Sequence, residues 1–275
     1  MSTIPTIRLN DGNAMPQLGF GVWRVSNEDA RSAVAGAIEA GYRSIDTASI
    51  YGNEEGVGEA IRSTPVARED LFITTKVWND RQGYDSTLRA FDESLARLRL
   101  EHVDLYLIHW PMVGSEAYRD TWRALIKLQQ DGRAKSIGVS NFMVPHLQRV
   151  IDETGVTPAV NQIELHPRLQ QKELSAFHKA NGIMTECWGP LGQGTILSEE
   201  TFAIIGRKYN KTSAQVILRW HLDNGFVVIP KSVTPSRIRE NIDVFDFRLD
   251  ADDRRAIEAL DSASGRVGPD PAVFA

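Results

Sequence analysis

Eight short apolar runs, each followed by a stretch with helical spacing, limit what this chain can fold into more than any other feature. The runs, rich in β-branched residues, occupy 18–23, 43–48, 71–77, 103–110, 134–141, 159–165, 183–188 and 226–231. Between them lie amphipathic segments such as NEDARSAVAGAIEAG and DSTLRAFDESLARLRL, with apolar residues three and four apart. Strands that alternate with helices pair in parallel, and eight is the number that closes a (β/α)8 TIM barrel. A length of 275 residues is ordinary for that fold. Gly41 and Gly132 stand where helix C-caps fall, and Ser26 or Asn27 where an N-cap falls. Ahead of the first run, TIRLN and MPQLGFG flank Asp11, Gly12 and Asn13, the pattern of a hairpin that caps the bottom of the barrel. No linker or charge block divides the chain, so one α/β domain over 1–275 is expected.

The rival architecture is a doubly wound nucleotide-binding sheet. Its G-x-G-x-x-G fingerprint belongs between the first strand and helix. GFGVWR at Gly19 and GVGEAI at Gly56 lack the third glycine, and GPLGQG at Gly189 has the wrong spacing and comes late. A net charge of −5 argues against a nucleic-acid partner. The single cysteine, Cys187, rules out an intrachain disulfide, and no metal cluster is indicated. The opening MSTIPTIRLN has no signal-segment pattern, and no long apolar run occurs. A cytoplasmic protein without a membrane partner is therefore expected, and nothing in the sequence demands more than a monomer.

Barrel chemistry gathers at the C-terminal ends of the strands. Those ends carry Asp46, Lys76, His109, Asn141, Gln162, Trp188 and Lys231. The strand interiors before them are apolar, as in LFITT before Lys76 and DLYLI before His109. Alternation puts Leu105, Leu107 and His109 on one face, and Phe72, Thr74 and Lys76 on another, both facing inward. Taken singly, Asp46 reads as a helix cap, Lys76 as a solvated lysine, His109 as a structural histidine and Tyr51 as a packing residue. Asp46, Lys76 and His109 nevertheless fall on three successive strands, with Tyr51 in the loop after Asp46. A lysine held by an aspartate favours a neighbouring phenolate and is expected to lower the Tyr51 pKa toward working pH. Such a tyrosine can protonate a carbonyl oxygen as hydride reaches carbon, while a neutral histidine donates a hydrogen bond to the same oxygen. The group suits carbonyl reduction.

The segments IDTASIYGNE, ITTKVW, DLYLIHWP, IGVSN, VNQIELHP and IPKS resemble the signature segments of the aldo-keto reductase superfamily, over essentially the whole chain. Within it, NDGNAMPQLGFGVW, IYGNEEGVGEAI, KVWNDR, ECWGPLGQG and GFVVIPKSV are most similar to bacterial 2,5-diketo-D-gluconate reductases. The resemblance implies a tetrad of Asp46, Tyr51, Lys76 and His109, with Tyr51 the proton donor. It implies NADPH as hydride donor, bound without a Rossmann fold and giving up its pro-4R hydrogen. Ser140, Asn141 and Gln162 would hold the nicotinamide amide, and Trp188 would stack on the ring. Gly189, Leu191, Gln193 and Gly194 would pass the pyrophosphate. Lys231, Ser232, Val233 and Arg237 would surround the 2′-phosphate, and Glu240 and Asn241 the adenine. Charged bonds to that phosphate would favour NADPH over NADH. Thr234 stands where relatives can carry another basic residue, which softens the expected preference and leaves NADH as a weaker donor.

Trp23, Ile50, Trp78, His109 and Trp110 are the expected substrate walls. The short PMVGSEAYRD segment and the short tail GRVGPDPAVFA point to an open site suited to a small polar carbonyl compound such as 2,5-diketo-D-gluconate. A broad aldehyde or methylglyoxal reductase is the alternative within the superfamily. Lys76 and Lys231 also leave a Schiff-base aldolase as a separate reading, and a non-catalytic NADPH-binding regulator as another.

Overall fold

Alternating inward and outward side chains on each strand require a wall with two buried faces, and the computed structural model supplies one. The structure describes residues 4–274; residues 1–3 and 275, the ends of the expected 1–275 domain, lie outside it. An antiparallel pair, β1 (Thr6–Arg8) and β2 (Ala14–Pro16), precedes the main sheet. Then come β3 (Phe20–Gly21), β4 (Ser44–Asp46), β5 (Phe72–Val77), β6 (Val103–Ile108), β7 (Ala134–Ser140), β8 (Val160–Glu164), β9 (Met184–Trp188) and β10 (Val227–Val228). These eight pair in parallel and in sequence order. The wall closes between its ends: Gly19 N–H donates to Val228 O at 2.8 Å, and Val228 N–H to Gln17 O at 3.1 Å. The expected (β/α)8 barrel is the observed fold.

The helices occupy the connections. They are α1 (Asn27–Ala40), α2 (Glu54–Ser63), α3 (Tyr84–Leu98), α4 (Ala117–Gln130), α5 (Val144–Thr154), α6 (Lys172–Ala180), α7 (Glu200–Tyr209), α8 (Ser213–Asp223), α9 (Pro235–Ile242) and α10 (Ala251–Glu258). Ser26 caps α1, its hydroxyl accepting from Asp29 N–H at 3.0 Å, and Gly41 ends it at φ 111°. Gly132 follows α4 at φ 71°. On β5, Ile73 and Val77 join the apolar layer under the helices, whereas Phe72 joins the interior cluster with Leu105 and Leu107. Thr75 also points outward, donating to Glu54 Oε1 of α2 at 2.6 Å.

The hairpin closes the bottom of the barrel. Leu9 and Met15 pack with Phe72, Leu105, Leu107 and Val160 in one buried cluster. Asn10 and Asn13 tie it to the starts of neighbouring strands, through Pro158 O at 3.0 Å and Lys135 O at 3.1 Å. With that end filled by hydrocarbon, the polar interior lies toward the opposite rim.

Strand lengths depart from the sequence reading at the closure. The apolar run 226–231 supplies ladder structure only at Val227–Val228, because Pro230 has no N–H to donate. Its carbonyl still accepts from Gly21 N–H at 3.1 Å. The run 134–141 stops at Ser140, and Asn141 turns into the left-handed region at φ 63°.

Gly138 shows how tightly the wall is drawn: a Cβ there would lie 2.5 Å from Val160 O and 2.9 Å from Leu107 Cδ2. Gly138→Ala should therefore destabilise the fold by about 1–3 kcal/mol, measured by thermal or urea unfolding.

Candidate functional site

At the upper rim the interior turns polar. Asp46 ends β4 and Lys76 lies near the end of β5, both fully buried. Lys76 Nζ donates to Asp46 Oδ1 at 2.6 Å and to Thr47 O at 2.9 Å. Asp46 is therefore an ion-pair partner, and the N-cap position of α2 falls instead at Asn53. Asn53 serves as a brace: its Oδ1 accepts a hydrogen bond from the Thr47 hydroxyl at 2.7 Å, and its Nδ2 donates to Val22 O and Val25 O. Tyr51 sits on the short turn Ser49–Tyr51 between β4 and α2. Its ring centroid lies 5.2 Å from Lys76 Nζ and 5.6 Å from the His109 ring. Asp46, Tyr51, Lys76 and His109 are thus gathered as the sequence indicated.

The protonation states follow from burial and neighbours. For Lys76, burial pushes the pKa down, but Asp46 and Tyr51 outweigh it and the net shift is upward. His109 lies well below its ordinary value because burial and the Lys76 charge both disfavour imidazolium. It is neutral, and its Nδ1 finds no partner among the described residues. Tyr51 corrects the sequence reading: burial raises its pKa more than Lys76 lowers it, so the phenol sits above its usual value. The phenol keeps its proton at neutral pH, and Lys76 offsets part of the cost of the phenolate left after transfer.

The amide cluster expected beside this group is present, with its hydrogen bonds turned inward. Ser140 Oγ donates to Gln162 O at 2.7 Å. Asn141 Nδ2 donates to His109 O and to Ser140 Oγ, each at 3.0 Å, and Asn141 Oδ1 accepts from Trp188 Nε1 at 2.8 Å. Gln162 Nε2 donates to Asp46 Oδ2 and to Glu186 Oε2, each at 2.8 Å. Glu186 was not among the residues singled out from sequence. It lies in phase with Trp188 two residues later, a signal available in ECW.

Beyond Trp188 the chain runs through left-handed backbone at Gly189, Gly192, Gln193 and Gly194, with open space at Gly189 and Gly194 where a side chain would stand. Leu191 packs against the core. Lys231, Val233 and Arg237 are exposed, and Ser232 is buried with its hydroxyl accepting from Thr234 N–H at 3.1 Å. They precede or open α9, where free N–H groups favour an anion. Glu240 accepts from Thr212 Oγ1 at 2.8 Å, and Asn241 is buried beside it on α9. An open glycine-rich cradle, a half-buried indole and exposed cations at a helix start fit an extended dinucleotide phosphate.

On the substrate side, Trp23 and Ile50 are exposed by 41% and 48% and are available to a ligand. Trp78 meets the His109 ring edge-on at 5.0 Å. Trp110 is more enclosed than expected: Phe274 of the tail packs on it at 4.4 Å, and Val113 N–H donates to Phe274 O at 3.0 Å. The tail is held in place by Glu164, which accepts from Val267 N–H at 2.6 Å and Gly268 N–H at 3.1 Å. The expectation of an uncovered wall is corrected on that side, because a short tail still reaches the pocket once it is pinned. Arg24, also missed from sequence, sits at φ 57° with its guanidinium 4.1 Å from the Trp23 ring centroid.

Lys76→Met should cost about 3–5 kcal/mol in urea unfolding by stranding Asp46 in the interior, and adding Asp46→Asn should recover part of the loss.

Comparison with known proteins gives concordant matches. The model of the Aldo/keto reductase family matches residues 15–262. Methylglyoxal reductase DkgA of Yersinia pestis is 54% identical over 276 aligned positions, covering 100% of this chain and 99% of the relative. A solved aldo/keto reductase from Brucella melitensis is 59% identical, with a TM-score of 0.93, covering 95% of this chain and 99% of that one. A mutant of the protein Gox0644, solved in complex with NADPH, is 52% identical with a TM-score of 0.96, and both chains are fully covered.

Proposed function

The chain belongs to the aldo/keto reductase family, and on that premise we propose that it is an NADPH-dependent carbonyl reductase working as one barrel domain. The observation that carries the proposal is the buried Lys76–Asp46 pair, 2.6 Å long, set beneath a protonated Tyr51 and beside a neutral His109. NADPH, when bound, supplies the hydride. Ser140, Asn141, Gln162 and Trp188 would hold its nicotinamide end, the 189–194 turn its pyrophosphate, and Lys231, Ser232 and Arg237 its 2′-phosphate. Glu240 and Asn241 would flank the adenine. Tyr51 delivers the proton to the carbonyl oxygen, and His109 orients that oxygen by a hydrogen bond. Lys76 stays charged throughout and stabilises the phenolate that Tyr51 becomes. Asp46 keeps Lys76 in place.

The same geometry argues against a Schiff-base aldolase. A lysine nucleophile must lose its proton, whereas Lys76 is held in its charged form by Asp46 and Thr47 O. A non-catalytic regulator would have no need for a proton donor joined to a buried ion pair.

Exposed Trp23 and Ile50, with Trp78 behind them, offer flat apolar faces around a polar centre, suited to small polar dicarbonyl compounds. The name of the Yersinia pestis relative supports methylglyoxal as one substrate, and the likeness of the pocket segments supports 2,5-diketo-D-gluconate as another. Rates of NADPH oxidation over both compounds, aromatic aldehydes and ketoesters rank them; kcat/KM favouring aromatic aldehydes would overturn the class.

Tyr51→Phe should lower reduction by about 100- to 10,000-fold with NADPH affinity close to wild type; retained turnover would sink the mechanism. Arg237→Ala should weaken NADPH binding by about 10- to 100-fold and leave NADH nearly unchanged, as titration of protein fluorescence would show.

A further inference from the structure

The proton-donor cluster and the amide cluster share one buried side chain, and it rests on an acid with no role in the reaction described above. Glu186 lies on β9, fully buried and in register with Gln162 of β8. Gln162 Nε2 has two hydrogens and gives one to Asp46 Oδ2 and one to Glu186 Oε2, each at 2.8 Å. Turning the amide over would set its oxygen against the Asp46 carboxylate, which can only accept. We infer that Glu186 is a positioning residue: with Asp46 it fixes the Gln162 side-chain nitrogen, leaving only the Gln162 carbonyl oxygen to receive an N–H of the nicotinamide carboxamide. The inference rests on the reading of Gln162 as a cofactor contact.

Asp46 alone would anchor one hydrogen and leave the amide free to swing about it. Glu186 supplies the second anchor from the neighbouring strand, and two anchors define the amide plane. Burial, and next the nearby Asp46 charge, push the Glu186 carboxyl up to about 8. At neutral pH it is protonated, and its Oε2 accepts from Gln162. Oε1 has no partner among the described residues, and leaving a hydroxyl there costs less than leaving an anion.

The charged and titratable groups around Glu186 are Asp46 from β4, Lys76 from β5, Tyr51 from the turn after β4 and Cys187 on its own strand. From β10 it meets Val227. While Glu186 is neutral, Asp46 and Lys76 balance. When it ionises, the site gains a second carboxylate two strand positions, about 7 Å, below the Trp188 platform. That charge favours NADP+, whose ring is positive, over NADPH, whose ring is neutral.

Fluorescence titrations of NADPH and NADP+ test this with Glu186→Gln, Glu186→Leu and Gln162→Leu. Glutamine mimics the protonated acid, so E186Q should bind NADPH within about twofold of wild type at neutral pH, whereas E186L should bind about tenfold more weakly. In wild type the ratio of NADP+ to NADPH affinity should rise by about tenfold between about pH 6.5 and about pH 9, and in E186Q it should stay flat. Without cofactor, E186Q should also lose less thermal stability than wild type between about pH 5 and about pH 8, since only the wild type must keep an acid protonated to stay folded. The inference is overturned if E186L binds like wild type while Q162L is weakened, or if E186Q keeps the wild-type pH dependence. Wild-type affinity in Q162L would instead overturn the Gln162 reading, and this inference with it. Should E186L fail to fold, the pH dependence of E186Q decides alone.

Discussion

One buried ion pair organises the upper half of this molecule. Lys76 and Asp46 lie in an interior where an isolated charge would cost several kcal/mol, so each must be fully partnered. Lys76 is satisfied by Asp46 Oδ1 and Thr47 O, and Asp46 Oδ2 takes the Gln162 amide. Those partners sit on β4, β5, β8 and the turn leaving β4. The pair therefore ties separate strands together at the level where the barrel opens, and Asn53 braces the turn from below.

Around that pair, one low-dielectric environment drives its neighbours toward fixed protonation states. His109 is pushed neutral by burial and by Lys76 together. Tyr51 feels the same two influences in opposition, and burial prevails. Glu186 is held protonated near neutral pH by burial and the Asp46 charge. A neutral histidine, a protonated phenol and a charged lysine are the states that donation of a proton to a carbonyl oxygen requires. The interior supplies them before any ligand arrives, which is electrostatic preorganisation in the ordinary sense.

Much of this was legible in the sequence because period-2 alternation carries it. LFITTK and DLYLIH place Lys76 and His109 inside before any contact is known, and the spacing of eight apolar runs gives the barrel. Tyr51 was legible as the proton donor from its place in the loop after Asp46, beside the Lys76 charge, and not from strand alternation. The direction of its pKa shift was misread, because the balance between desolvation and a nearby charge depends on how tightly the turn is packed. Glu186 shares the inward phase of Trp188 in ECW, but its partner Gln162 is set only once β8 and β9 are aligned.

By itself the sequence determined the order of elements, the inward phase of the strand ends and the meeting of Asp46, Lys76 and His109 at the rim, since these follow from local periodicity and from parallel neighbours in chain order. Only the tertiary structure decided which partners those residues take. Gln162 bridging Asp46 and Glu186, Glu164 pinning the tail, and Phe274 covering Trp110 join positions from 24 to 164 residues apart. Such contacts depend on the register and closure of the whole barrel, which no local pattern encodes.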